Sequence, residues 1–203
     1  MRVVLLLVAM AAALFGVSGV AYAMTVQCDG EGDQDPAPGV CLGWGESDNI
    51  TGTTGSDYID GQGGNDRIRA LAGDDQVFTG GGGKDRVFLD AGNDITDAFG
   101  GNDVIYGGPD NDGSAQGASF GNLNLEGAEG SDVVYGEEGD DWIDAAANDT
   151  PGSRDRSYGG AGNDQIDAFD GNKDVINCGD GGGDIVREDE FDTTRNCETS
   201  VAP

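Results

Sequence analysis

Between Gly52 and Tyr106 the chain repeats one nine-residue phrase, and a chain that does so must fold in a way that treats every copy alike. Gly55, Gly64, Gly73, Gly83, Gly92 and Gly101 are each followed two residues later by an aspartate: Asp57, Asp66, Asp75, Asp85, Asp94 and Asp103. Two residues beyond each aspartate stands Ile59, Ile68, Val77, Val87, Thr96 or Ile105, all but Thr96 being branched aliphatics. One residue inserted near Thr79 lengthens the step from Asp75 to Asp85 to ten. The phase resumes with Gly130 and Asp132, Gly139 and Asp141, and Gly162 and Asp164. Self-similarity at this period is the mark of a parallel β-helix or β-roll built from nonapeptides.

The composition narrows the chemistry. Thirty-nine acidic residues against 10 basic ones give a net charge of −29, with 38 glycines and only 36% apolar residues. Taken alone, such values suggest disorder, but the strict phase of glycine, aspartate and aliphatic argues against a solvated linker. The charge argues against nucleic acid and anionic membranes as partners and invites cations. With no histidine in the chain, imidazole catalysis and the usual zinc ligands are excluded. Glycosidases need two positioned carboxylates, and with dozens present spacing discriminates nothing. The reading is a non-enzyme.

Residues 1–23 have the form of a secretory signal peptide. Arg2 precedes the apolar run Val3 to Val20, and Ala21-Tyr22-Ala23 is a small-residue cleavage signature. An uncleaved anchor is the competing reading. No second apolar stretch follows, so the expected mature chain begins near Met24, is exported and has no membrane span. Four cysteines fit an oxidising compartment: Cys28 and Cys41 precede the repeats, and Cys178 and Cys197 bracket the end. Three pairings exist on paper. The local pairs are the simplest, with free thiols as the alternative. Neither pair has the spacing of a metal site.

The expected organisation is an N-terminal cap over 24–51, repeats over 52–186 and a C-terminal cap over 187–203. The repeats degenerate at 107–126 and 145–158. Within the first of these stretches Asp112 keeps an aspartate slot, while Gly121 to Leu125 puts Leu123 where aspartate belongs and reads as a coil lacking a ligand. Further on, Asp155, Asp174 and Asp184 trail Gly152, Gly171 and Gly181 by three residues. Glycine at this density forbids useful helices.

The phrase resembles the RTX nonapeptide, the hemolysin-type calcium-binding repeat G-G-x-G-x-D-x-U-x with U apolar. Gly80-Gly81-Gly82-Gly83-Lys84-Asp85-Arg86-Val87-Phe88 and Gly159-Gly160-Ala161-Gly162-Asn163-Asp164-Gln165-Ile166-Asp167 are the closest matches. The resemblance implies an all-β, right-handed parallel β-roll in which each nonapeptide is one turn and one short strand. Turns would alternate between two sides, with several Ca²⁺ ions held between turns two repeats apart. It implies as ligands Asp57, Asp66, Asp75, Asp85, Asp94, Asp103, Asp112, Asp132, Asp141, Asp164 and Asp174. Carbonyls would come from the turns of Gly55, Gly64, Gly73, Gly83, Gly92, Gly101, Gly130, Gly139 and Gly162. Pairs such as Asp57/Asp75, Asp66/Asp85, Asp75/Asp94 and Asp85/Asp103 would flank ions.

Each residue type has a reason. Glycine permits positive φ and bares its carbonyl at a tight turn. Calcium, a hard cation, gathers six to eight oxygens from carboxylates, carbonyls and water. Carboxylates stacked about 4.8 Å apart repel by roughly 3–4 kcal/mol per step at an effective dielectric near 20, so the chain is expected to be disordered until calcium binds.

These features point to a secreted calcium-binding protein, a monomer, structural or adhesive at a cell surface or matrix, with a surface glycan or cell-wall polymer as partner class. A small secreted carbohydrate-active enzyme with its site on the roll is the runner-up, and a calcium buffer the third reading. A cleavable leader departs from the type I export of many RTX proteins. Phe78, Phe88, Tyr106 and Tyr135 end four repeats and are expected to cover strand ends in preference to binding a ligand. Arg67, Arg69, Lys84 and Arg86 read as counter-charges, and Asn49 and Asn148 head glycosylation sequons.

Overall fold

A branched aliphatic between two glycine turns has room for only a short strand, and its side chain must find other side chains of its kind. The computed structural model describes residues 24–28, 39–113, 124–147 and 149–201. The expected leader at 1–23, together with Leu123 and Asn148, lies outside them. Among the described residues there is no helix, and every strand pairing is parallel.

The chain winds as a β-solenoid of about eight turns between two nine-stranded sheets. The first sheet runs from Met24–Gln27 through Asp48–Thr51, Arg67–Ala72, Arg86–Ala91, Val104–Pro109, Val133–Glu138, Arg156–Ala161 and Val175–Asp180 to Thr193–Arg195. The second runs from Val40–Leu42 through Tyr58–Asp60, Gln76–Phe78, Ile95–Asp97, Leu125–Glu126, Trp142–Asp144, Gln165–Asp167 and Ile185–Arg187 to Thr199–Val201. Segments 24–51 and 187–203 thus contribute strands to the same sheets as the repeats. A minor sheet pairs Gly82–Gly83, Gly100–Gly101 and Glu129–Gly130 within the turns.

The apolar position of every phrase points inward, so residues two phrases apart stack in a file. Ile50, Ile68, Val87, Ile105 and Val134 form such a file in the first sheet. In the second, Cys41, Ile59, Val77, Thr96, Leu125, Ile143 and Ile166 do so. All are buried. Between the sheets there is room for one aliphatic layer, supplemented by small residues such as Ala70, Ala98 and Ala168.

The stretch 107–126 differs from the expected ligand-free coil. Leu125 pairs with Thr96 on one side and Ile143 on the other, filling the core of a rung, while the aspartate slot of that same rung belongs to Asp112. One rung is therefore assembled from residues on both sides of the 114–123 segment. Register between strands, not spacing along the chain, decides which side chains stack.

Backbone crowding sets the turns. Gly64, Gly73, Gly92, Gly101, Gly130, Gly139 and Gly162 all have positive φ. A Cβ on Gly83, Gly92, Gly101 or Gly130 would run into the carbonyl of the glycine one coil below. Two residues upstream of these glycines the consensus has another, and here Gln62, Leu71, Asp90, Phe99, Ala128 and Glu137 stand in its place at φ between 58° and 90°, a strained conformation for side-chain-bearing residues.

Disulfides join Cys28 to Cys41 and Cys178 to Cys197, with Cα separations of 5.3 and 5.2 Å, one near each end. Outside the first sheet Phe88, Tyr106, Tyr135 and Tyr158 stack at 4.8–5.1 Å between centroids, nearly parallel. Arg67 lies over the far side of Phe88. The ring faces cover one another. Phe78, nine or ten residues out of phase with that file, instead meets Tyr58 and Phe99.

Substituting Gly101 by alanine should cost about 2–4 kcal/mol, because it combines a left-handed φ with a backbone collision. Gly45, with open space around it, should accept alanine within about 0.5 kcal/mol. Denaturant melts of both variants in saturating calcium give the comparison.

Candidate metal centre

Because each aspartate precedes its inward aliphatic by two positions, it too points inward, but at the turn and not in the middle of the core. The result is two columns of carboxylates, one along each edge. The first column comprises Asp48, Asp66, Asp85, Asp103, Asp132, Asp155, Asp174 and Asp192. The second comprises Asp57, Asp75, Asp94, Asp112, Asp141, Asp164, Asp184 and Glu198. The column aspartates from Asp48 to Asp184 are at most 4% exposed.

One contact repeats along both columns. The backbone N–H of each acid donates to one side-chain oxygen of the acid in the next coil at 2.7–3.0 Å. This bond uses only Oδ1 of the aspartates. The Oδ2 atoms of Asp66, Asp75, Asp94, Asp103, Asp112, Asp132, Asp141, Asp164, Asp174 and Asp184 are buried and have no partner. Leaving so many buried acceptors unmade is costly unless something absent from the polypeptide satisfies them.

The surroundings of those atoms fit a hard cation. A Cβ on Gly61, Gly107, Gly136 or Gly159 would fall against Oδ2 of Asp66, Asp112, Asp141 or Asp164, so only glycine lets these carboxylates lie so close to the turn. Close by at each of these glycines stands a backbone carbonyl oxygen, that of Thr79, Gly136, Gly159 or Cys178, and carboxylate and carbonyl oxygens are the donors calcium takes. Among the described residues no three acidic or thiol side chains close around one point as a ready cage. An ion here must therefore complete its shell with turn carbonyls and water.

The start of each column is different. Oδ2 of Asp48 accepts the N–H of Trp44 at 2.6 Å, and Oδ2 of Asp57 accepts the N–H of Thr53 at 2.6 Å. At these two rungs the protein supplies the donor itself.

Burial is the main force on the remaining carboxyls. It pushes Asp66, Asp94, Asp103, Asp132, Asp141 and Asp174 up to about 7, Asp75 and Asp164 to about 6, and Asp112 to about 9. The N–H bond from the neighbouring coil pulls each down, and adjacent column acids push it up again. Burial thus favours the protonated form of these carboxyls.

All eleven aspartates singled out from the sequence stand in these columns, and the glycines from Gly55 to Gly162 line the turns beside them. The phase marker misses Asp48, Asp155, Asp192 and Glu198, since none has glycine two residues before it, whereas Asp184 follows Gly182 in phase. A better signal was the small or apolar residue two positions on: Ile50, Ser157, Val186, Thr194 and Ser200. Of the supposed counter-charges, Arg69 pairs with Asp90 at 2.5 Å and Arg67 sits on Phe88. Gly117-Ala118-Ser119-Phe120-Gly121 spells a nucleophile-elbow pattern, but it lies outside the described residues and the chain has no histidine to serve as its base.

The family model of the RTX calcium-binding nonapeptide repeat matches the chain in four copies, over residues 45–77, 79–113, 124–149 and 152–186. No curated protein matches the chain.

Because most of the folded carboxyls are pushed up to about 6–7, and Asp112 to about 9, whereas unfolded aspartates titrate near 3.9, the calcium-free fold binds more protons than the unfolded chain. Its stability is greatest below about pH 4 and falls as pH rises through 7. In calcium-free buffer the β signal should therefore be stronger at pH 4.5 than at pH 8, and calcium added at pH 6 should release protons, measurable by pH-stat.

Proposed function

Since the chain belongs to the RTX calcium-binding nonapeptide repeat family, we propose that it is an exported protein whose two carboxylate columns fill with calcium as it folds, binding and folding being one event. The observation that carries this reading is the row of buried, unpartnered Oδ2 atoms, repeated rung after rung. Residues Asp66, Asp75, Asp85, Asp94, Asp103, Asp112, Asp132, Asp141, Asp164 and Asp174 supply the side-chain oxygens, and the adjoining glycine turns supply carbonyls. Calcium bound between successive carboxylates turns their mutual repulsion into attraction.

The cleavable-leader pattern of residues 1–23 and the two disulfides support export to an oxidising, calcium-rich medium. There the protein acts as a structural or adhesive element at the cell surface or matrix and not as an enzyme. Calcium is its defining ligand, and a surface glycan or cell-wall polymer is the partner class. The self-stacked rings Phe88, Tyr106, Tyr135 and Tyr158 have no open faces between them on which a sugar could lie, so contact with a glycan runs through polar edges or through calcium.

Circular dichroism of the chain from Met24 onward should show a cooperative gain of β signal between about 10⁻⁴ and 10⁻³ M calcium. Magnesium should leave it unchanged, because it demands a regular octahedral shell, and Trp142, next to the column residue Asp141, gives a parallel fluorescence readout. Asp94→Asn should weaken calcium binding several-fold, whereas Asp57→Asn, whose carboxylate Thr53 already satisfies, should do less. An identical spectrum in chelator and in calcium at pH 7.5 would overturn the coupling.

A further inference from the structure

The repeat phase does not account for Asp149, which lies in the long connection 145–158. Its Oδ1 accepts the N–H of Gly130 and that of Thr150, both at 3.2 Å. Its Oδ2 is buried and has no partner. The charge of Asp149 bears on two other carboxyls, those of Asp155 and Asp170, and the side-chain amide of Asn172 ties Asp170 to the backbone carbonyl of Thr150 and the hydroxyl of Ser153 beside them. Asp155 is a column residue, but Asp170 is another acid outside the phase.

The flanking rungs open onto the same place. Asp132 and Asp174 are 2% and 1% exposed, and each has a buried Oδ2 with no donor. The charge of Asp149 bears on both. Five carboxylates are thus drawn together over three successive rungs, where the repeat phase alone supplies three. Asn172 secures the arrangement: its N–H donates to Oδ1 of Asp170 at 2.7 Å, and its Oδ1 accepts the N–H of Gly152 at 2.7 Å. Among the described residues the two ion pairs, Arg69–Asp90 and Arg187–Asp167, lie elsewhere.

We propose that Asp149 and Asp170 join Asp132, Asp155 and Asp174 in a calcium site tighter than those of the regular rungs. The inference rests on the calcium reading above and adds to it a site that the nonapeptide does not encode. Oxygen sites for calcium gain affinity with the number of charged ligands they offer. The five acids are strung along the column and do not ring a single point, so the ion takes some of them directly and feels the charge of the rest. The site fills first, and the coils around Asp132 to Asp174 order before those nearer the N-terminus.

Calcium titration of the full chain from Met24 by calorimetry and equilibrium dialysis tests this. The wild type should show a tight class bound at least ten-fold more strongly than the remaining ions. Asp149→Asn keeps the acceptor for Gly130 and should weaken that class about ten-fold or more, and Asp170→Asn should do the same. Both should leave the number of weaker ions and the β signal at saturating calcium unchanged, while Glu190→Gln, an exposed control, should change nothing. A single affinity class in the wild type, or an unchanged tight class in Asp149→Asn, overturns the proposal while leaving the calcium reading standing. No calcium bound to the wild type at millimolar concentration overturns both.

Discussion

The bond from a backbone N–H to the carboxylate of the next coil is what the rest of this molecule depends on. It fixes the height of each rung, because donor and acceptor belong to successive coils. It also fixes the direction of the acid, holding one oxygen and leaving the other against a glycine turn. A side chain that in most proteins would escape to solvent is thereby kept inside, at an energetic cost that only a proton or a cation relieves. Structure and ligand demand are two ends of the same carboxylate.

That arrangement also explains the thinness of the core. One aliphatic file per sheet, running through residues such as Ile50, Ile68 and Val87, is too little apolar surface to bring so many acids together unaided. The two outer faces divide the remaining charge. Arg67, Arg86 and Arg156 align on the first sheet, whereas Asp97, Glu126, Asp144 and Asp167 align on the second. The acidic columns at the edges therefore lie between a face with some compensation and one with little.

Much of this was legible in the chain. Period nine places alternate phrases on alternate sheets, and glycine, aspartate and aliphatic identify turn, column and core. What could not be read was register. Leu123 occupies the aspartate position of its own phrase, yet the rung that its neighbour Leu125 completes takes its acid from Asp112, far upstream. Asp155 fell out of phase with glycine but not with the inward residue Ser157. The inward position is the stricter guide, since a turn can absorb an extra residue and a stacked file cannot. Non-local additions such as Asp149 carry no periodic signal at all.

Successive column acids are separated by 18 residues between Asp85 and Asp103, 29 between Asp103 and Asp132, and 23 between Asp132 and Asp155, yet the bond that joins them is the same in each case. The scaffold thus tolerates length variation at one corner of a coil without propagating it. For a protein engineer this separates two kinds of position: chain length can change between successive column acids, whereas the acids and the stacked files themselves must keep their places.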